Sequence, residues 1–348
     1  MIFQQLFDPT SFTYTYLLAR RHGAEAVIID PVLEHVDTYL SLLERLDLRL
    51  LKAVDTHIHA DHVTGLAELR NHTKCVTVMG ERSSADVVSM RVKEDEIVDV
   101  DGVELRTMYT PGHTDDSYSY VMDDRVFTGD ALLIGGTGRT DFQNGDPRAA
   151  YDSLFSKLLK LPDGTIVYPA HDYNGNTAST IGYERAHNPR LQVSSPDQYA
   201  EIMNSLNLPN PKMMDVAVPA NQSIGQSVKK FVKRGESLSV DECRKEAGKK
   251  DVVLVDLREK HERERDGWIP QSLHVPYKTL DDQLQDCGAL HRIAEDHPGG
   301  VILYCAHGER SALALDTMRE CGISGVKHLT GGLKAWRESG GATQSGQA

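Results

Sequence analysis

Three imidazoles and a carboxylate fall within six positions of this chain, in the run Thr56-His57-Ile58-His59-Ala60-Asp61-His62. The run follows Leu50-Leu51-Lys52-Ala53-Val54, an apolar stretch that predicts a buried strand. The clustered side chains therefore begin where a strand ends, on a loop anchored by a rigid sheet. Buried imidazoles and carboxylates are costly to desolvate unless something pairs with them. One histidine in such a place reads as a satisfied polar turn, whereas this density reads as a metal site. The pattern does not say which metal.

Thr-His-x-His-x-Asp-His resembles the signature of the metallo-β-lactamase superfamily. The resemblance implies an αββα sandwich with its metal site at one edge of two packed sheets, and further ligands from separate loops. The chain has matches for them: His113 in Thr110-Pro111-Gly112-His113-Thr114, Asp130 in Phe127-Thr128-Gly129-Asp130, and His171 in Tyr168-Pro169-Ala170-His171-Asp172. Every superfamily ligand position is then occupied, by His57, His59, Asp61, His62, His113, Asp130 and His171.

At 348 residues the chain is comfortable for two domains. A net charge of -13 argues against nucleic acid or an anionic membrane as a general partner. No apolar run is long enough to span a bilayer. The N-terminus, Met1-Ile2-Phe3-Gln4-Gln5-Leu6-Phe7-Asp8, has neither a basic leader nor a cleavage site, so a bacterial, cytoplasmic protein is expected. The five cysteines, at 75, 243, 287, 305 and 321, are odd in number and none is close to another. That favours a reducing compartment over a disulfide framework.

The pattern predicts a hairpin over 10–30 that turns near His22-Gly23 and a helix from about Val36 to Leu46. Another helix is expected over Thr64 to Leu69, with strands over 77–80, 96–100 and 103–108. A glycine-rich stretch follows Asp130, from Leu132 to Gln143. Its Gly138-Arg139-Thr140-Asp141-Phe142-Gln143 resembles the persulfide dioxygenase branch of the superfamily. So do Tyr168 to Tyr173, Ile202 to Pro209 and Val218 to Asn221, which extends the resemblance over about residues 1–225.

That resemblance implies one Fe(II) held by His57, His113 and Asp130, a triad that leaves coordination positions open. His59, Asp61, His62 and His171 would orient these ligands and hydrogen-bond to bound water or oxygen. The implied reaction oxidises glutathione persulfide with O2 to sulfite and glutathione. Glutathione carries two carboxylates, so Arg139 is expected to bind one by its guanidinium fork, braced by Asp141. Tyr173 and Asn221 are further candidates for contacting substrate. By ligand count alone, a binuclear zinc hydrolase of glutathione thioesters, of the glyoxalase II kind, is equally allowed.

A polar, basic stretch around Ser227 to Gly235 marks a boundary, giving a first domain over 1–225, a linker over 226–235 and a second domain over 236–340. A disordered tail is expected over 341–348. In the second domain Val252 to Asp256 and Gly300 to Cys305 read as strands of a parallel sheet, and Ser311 to Glu320 as a helix. Asp256-Leu257-Arg258-Glu259, Gly267-Trp268-Ile269-Pro270, Cys305 to Ser311 and Leu329 to Trp336 resemble a rhodanese domain, with Trp268 where a histidine is usual. The resemblance makes Cys305 the nucleophile that carries sulfane sulfur. The loop amides and a helix N-terminus would stabilise its thiolate, with Arg310 as a fixed positive charge. His307 and Glu309 would tune the acceptor.

The expected whole is a bifunctional α/β enzyme of sulfur metabolism. Sulfur is expected to pass from thiosulfate to glutathione at Cys305, with the persulfide then oxidised at iron; the reverse flow, making thiosulfate from sulfite and persulfide, is also allowed. A homodimer is compatible with the sequence, and the third possibility is a rhodanese half that senses sulfide without turnover.

Overall fold

A computed structural model describes residues 1–86, 88–224, 234–285 and 288–346. The chain divides into two compact units, Met1–Asp86 with Arg91–Ile224, and Val87–Met90 with Gly225–Ala348. The expected linker falls largely on 225–233, outside the described residues.

The first unit is built on two six-stranded sheets whose strand order follows the sequence. One contains β1 (Ile2–Asp8), β2 (Thr13–Ala19), β3 (Glu25–Ile29), β4 (Arg49–Val54), β5 (Val76–Gly80) and β6 (Met90–Val92). The other contains β7 (Ile97–Val100), β8 (Val103–Tyr109), β9 (Tyr118–Val121), β10 (Arg125–Gly129), β11 (Ile166–Pro169) and β12 (Ser179–Thr180). The expected hairpin is β2 and β3, antiparallel and turning through Gly23 at φ +71°. The sheets are mixed: β3, β4 and β5 pair in parallel, as do β10 and β11.

The sheets meet face to face through aromatic side chains. The Tyr16 ring from β2 lies 4.9 Å from that of Phe127 in β10, and Phe3 from β1 lies 4.8 Å from Tyr168 in β11. Tyr16 also donates to the Pro169 carbonyl at 2.6 Å, so the hydroxyl it buries is satisfied. Helices cover the outer faces. Val36–Arg45 and Leu66–Thr73 lie on the first sheet, and Pro147–Asp152, Ile181–His187 and Pro196–Asn204 enclose a second core around Leu154, Leu158, Tyr199 and Met203. This is the αββα arrangement of the metallo-β-lactamase fold.

The second unit has one sheet, ordered β13 (Ser237–Leu238), β17 (Val326–Leu329), β16 (Gly300–Tyr304), β14 (Val252–Asp256) and β15 (Leu273–His274). Every neighbouring pair in it is parallel. Its central strands are apolar runs because helices cover both faces. Residues 341–346 correct the expectation of a disordered tail. Gln344 and Trp268 exchange both backbone hydrogen bonds, at 2.9 and 2.8 Å, and Trp336 Nε1 donates to the Ala342 carbonyl at 2.9 Å. No described helix is long and apolar enough to cross a membrane.

Candidate metal centre and cysteine loop

Strand ends of both sheets converge on one edge of the first unit. β4 delivers His57 to His62, β8 leads to His113, β10 to Asp130 and β11 to His171. These side chains fall into two groups, each with ligand atoms within 4.8 Å of one another: His57, His113 and Asp130, and separately His59, Asp61, His62 and His171. All are buried except Asp61, which is partly exposed.

Hydrogen bonds fix which nitrogens of the first group are available. Thr56 Oγ1 donates to Asp30 Oδ2 at 3.1 Å and lies 2.9 Å from His57 Nδ1. With its proton committed to Asp30, the hydroxyl accepts from His57 Nδ1–H and leaves Nε2 with a lone pair. His113 Nδ1 lies 2.7 Å from the Arg139 carbonyl, which can only accept, so its Nε2 also carries a lone pair. That Nε2 faces Asp130 Oδ2 at 3.4 Å. Burial, reinforced by the neighbouring imidazoles of His59 and His113, pushes the His57 pKa well below its ordinary value and keeps the ring neutral. Burial alone would raise the Asp130 pKa, but His171 and the other imidazoles outweigh it, so this carboxyl stays ionised.

The second group is tied up differently. His171 bridges two carboxylates, with Nδ1 2.7 Å from Asp130 and Nε2 2.8 Å from Asp61. Despite the opposing effect of burial, these charges raise its pKa well above the ordinary histidine value. His59 gives Nε2 to Asp30 at 3.1 Å. His62 gives Nδ1 to Asp61 at 3.0 Å. Two buried nitrogens here, His59 Nδ1 and His62 Nε2, have no hydrogen-bond partner. Thr13 Oγ1 touches Asp61, His62 and His171 within 3.3 Å.

Asp30, Asp55, Asp116, Thr13 and Thr56 are functional neighbours that sequence reasoning missed. Asp30 falls at the end of the expected hairpin and takes a left-handed backbone, φ +51°, just after β3. Burial pushes the Asp55 carboxyl up to about 8 and raises that of Asp116 as well. These acids stand behind the metal-facing histidines.

The glycine-rich loop has a steric task. Gly138 N donates to the Asp130 carbonyl at 2.8 Å, closing the loop on itself. A Cβ at Gly138 would stand 2.2 Å from that carbonyl and 2.8 Å from His113 Nδ1. Only glycine lets the next carbonyl, that of Arg139, reach His113. Gly138→Ala is expected to reduce metal affinity by about 10–100-fold, because it displaces the acceptor that orients a ligand. Metal analysis after dialysis, beside a thermal melt of the same sample, checks this.

Several expected substrate contacts are placed otherwise. Arg139 donates to both Asp141 oxygens at 2.6 Å, and to the Pro209 and Leu208 carbonyls at 2.6 and 3.2 Å. Asp141 does brace it, but the fork is spent on the protein and is not open to a substrate carboxylate. Asn221 is also corrected. It is buried, donating to the His59 and His62 carbonyls and accepting from Thr64 N, so it holds the metal loop in shape. Tyr173 stays a substrate candidate: it is 61% exposed, and its ring is parallel to that of His171 at 6.1 Å.

In the second unit, Cys305 immediately follows the last residue of β16 and its side chain is fully buried. Gly308 N donates to Cys305 Sγ at 3.1 Å, and the helix Glu309–Glu320 starts immediately after. A Cβ at Gly332 would lie 2.3 Å from the Cys305 carbonyl, which instead receives Leu333 N at 2.8 Å. Thus the Gly331-Gly332 turn clamps the cysteine loop. Arg310 is buried beside the cysteine loop. Its guanidinium makes two 2.7 Å bonds to Glu262, so its positive charge is neutralised within the protein. Glu309 is buried, like Cys305, and His307 is half-buried in the loop.

A family model described as metallo-beta-lactamase superfamily matches residues 8–85 and 79–171, and one described as rhodanese-like domain matches 239–339. The mitochondrial persulfide dioxygenase ETHE1 of Mus musculus is 44% identical over 228 residues, covering 65% of this chain and 89% of that protein. A hydroxyacylglutathione hydrolase of Photobacterium profundum is 33% identical over 180 residues, covering 51% of this chain and 69% of that protein. Among solved structures, ETHE1 from Myxococcus xanthus is 50% identical with a TM-score of 0.63, covering 65% of this chain and all of that one. A metallo-beta-lactamase from Staphylococcus aureus subsp. aureus COL, 20% identical with a TM-score of 0.60 and covering 94% and 98%, shares the fold.

Proposed function

Because the chain belongs to the persulfide dioxygenase family of the metallo-β-lactamase superfamily and carries a rhodanese-like domain behind it, we propose that it both oxidises and transfers sulfane sulfur. In the first reaction glutathione persulfide, O2 and water give glutathione and sulfite. In the second, thiosulfate and glutathione give sulfite and glutathione persulfide, with Cys305 as the carrier. The second reaction then supplies the substrate of the first.

The observation that carries the dioxygenase reading is the division of labour among the imidazoles. His57 and His113 each have one nitrogen held by Thr56 or the Arg139 carbonyl and the other left with a lone pair. With Asp130 they make a two-histidine, one-carboxylate set, the donor chemistry of a single non-haem iron. His171 has both nitrogens committed to carboxylates, so it serves better as a brace. His57, His113 and Asp130 would hold Fe(II), which would supply the electrons for reaction of the persulfide with oxygen. The protein's own part is to fix ligand tautomers, keep the site enclosed and offer Tyr173 at the mouth. Asp61 and Asp130 fix the orientation of the His171 ring through both of its nitrogens.

A specific observation favours a second reading. The partnerless His59 Nδ1 and His62 Nε2 are what a second metal would use, as in a binuclear zinc thioester hydrolase. Oxygen uptake by anaerobically Fe(II)-loaded protein separates the two. The dioxygenase reading expects one O2 consumed and one sulfite formed per glutathione persulfide added. No uptake, together with two tightly held zinc ions and hydrolysis of a glutathione thioester, overturns it.

A further inference from the structure

Strand β17 carries a histidine that the sulfur-transfer reading does not use. His328 is fully buried in the second unit. Its Nε2 lies 2.9 Å from Ser237 Oγ and its Nδ1 3.3 Å from Ser311 Oγ. Ser311 Oγ donates to the Gly308 carbonyl at 3.0 Å and lies 3.9 Å from Cys305 Sγ. A continuous polar chain therefore runs Ser237, His328, Ser311, Cys305. The fold places each link: Ser237 pairs with His328 across β13 and β17, and Ser311 sits in the first turn of the helix that follows the cysteine loop.

Burial drives the His328 pKa down to about 4 against the opposing pull of Glu236 and of a hydrogen bond with the Gly308 backbone. The ring is thus neutral at physiological pH, with one N–H and one lone pair. Ser237 can donate to Nε2, and Ser311, whose own proton is on Gly308, can accept from Nδ1–H. An apolar residue would fill this position without the cost of burying an imidazole. Its polar links lead in one direction to the sulfur.

We propose that His328 is a positioning residue for Cys305, acting through Ser311. The inference rests on the reading of Cys305 as the sulfur-carrying nucleophile. While Cys305 is a thiol, the Ser311 hydroxyl points to the Gly308 carbonyl. When the thiol gives its proton to solvent, the Ser311 hydroxyl turns to donate to the anionic sulfur beside Gly308 N–H. The His328 N–H keeps the serine oxygen in place throughout. The thiolate then attacks the outer sulfur of thiosulfate. A Cys305 S–S bond forms, the bond between the two thiosulfate sulfurs breaks, and sulfite leaves with its electron pair. The charged groups facing this chain are Glu236 beside His328, and Arg310, paired with Glu262, beside Cys305.

The test follows alkylation of Cys305 by iodoacetamide against pH in the full-length chain, read on the Cys305 peptide by mass spectrometry. Sulfur transfer from thiosulfate to glutathione is measured in parallel. His328→Leu is expected to move the alkylation profile up by about one pH unit and to slow transfer roughly tenfold at neutral pH. His328→Asn, which retains an N–H donor, should recover most of both. Ser311→Ala, which leaves the histidine in place, should shift the profile as His328→Leu does. Profiles of Ser311→Ala and folded His328→Leu that superimpose on the wild type overturn the inference. Wild-type protein that transfers no sulfur, or transfers it equally well as Cys305→Ser, overturns instead the reading of Cys305 on which the inference stands.

Discussion

Asp130→Asn is expected to give a folded protein that retains little iron and consumes oxygen on the order of 10³-fold more slowly with glutathione persulfide. The substitution keeps the volume and removes the charge. In the native site one carboxylate oxygen lies 2.7 Å from His171 Nδ1 and the other 3.4 Å from His113 Nε2. An amide in the same place turns one acceptor into a donor, facing an imidazole that should either donate or bind metal. The informative comparison is His62→Ala. If His62 braces the site without binding the catalytic metal, iron stays near one equivalent and the rate falls by about 10–100-fold. Equal loss of metal and rate in both variants would make the second group a ligand set and return the binuclear hydrolase. Iron content, circular dichroism and oxygen uptake on the same preparations distinguish a lost ligand from a lost fold.

Most of the fold was legible because its signals are local. Apolar runs ending in functional residues mark β4, β14 and β16, and the turn at Gly23 sets the β2–β3 hairpin. Short or polar strands such as β12 and β13 carry too few residues to show a period, and they form because a neighbouring strand offers a ladder edge. The metal-facing residues were legible because imidazoles and carboxylates at such density have few other uses. Their partners were not. Thr13, Asp30 and Thr56 are ordinary residues in sequence, and they acquire roles only where the start of β2 meets the ends of β3 and β4. Arg139 and Asn221 show the converse. Their chemistry suits a substrate, but Leu208, Pro209 and Thr64 are brought beside them by tertiary packing, which consumes their hydrogen bonds. Residue type indicates what a side chain can bind, and the fold decides whether that capacity is already used.

Arg310 and Glu262 are expected to behave as one unit, so that breaking the pair costs far more than replacing it. Arg310→Met leaves Glu262 buried without its countercharge, and the second unit should lose about 3–5 kcal/mol. A double replacement, Arg310→Met with Glu262→Met, removes both charges and should recover most of that loss. The coupling between the two positions should therefore exceed about 2 kcal/mol. Acid titration gives an independent reading of the same pair. Burial pushes the Glu262 carboxyl up, but Arg310 outweighs it and holds the pKa at about 2, against an ordinary value of 4.5. A depressed carboxylate contributes stability that is complete above its ordinary value and is lost as pH falls toward 2. This contribution is on the order of 3 kcal/mol in the wild type and absent from the double variant. Both tryptophans, Trp268 and Trp336, belong to the second unit, so denaturant melts followed by their fluorescence report on it selectively. If the double variant is as unstable as Arg310→Met, the loss comes from packing around the guanidinium and not from a stranded charge. If stability returns but sulfur transfer does not, the ion pair is retained for what it does near Cys305, since apolar side chains can hold the fold there equally well.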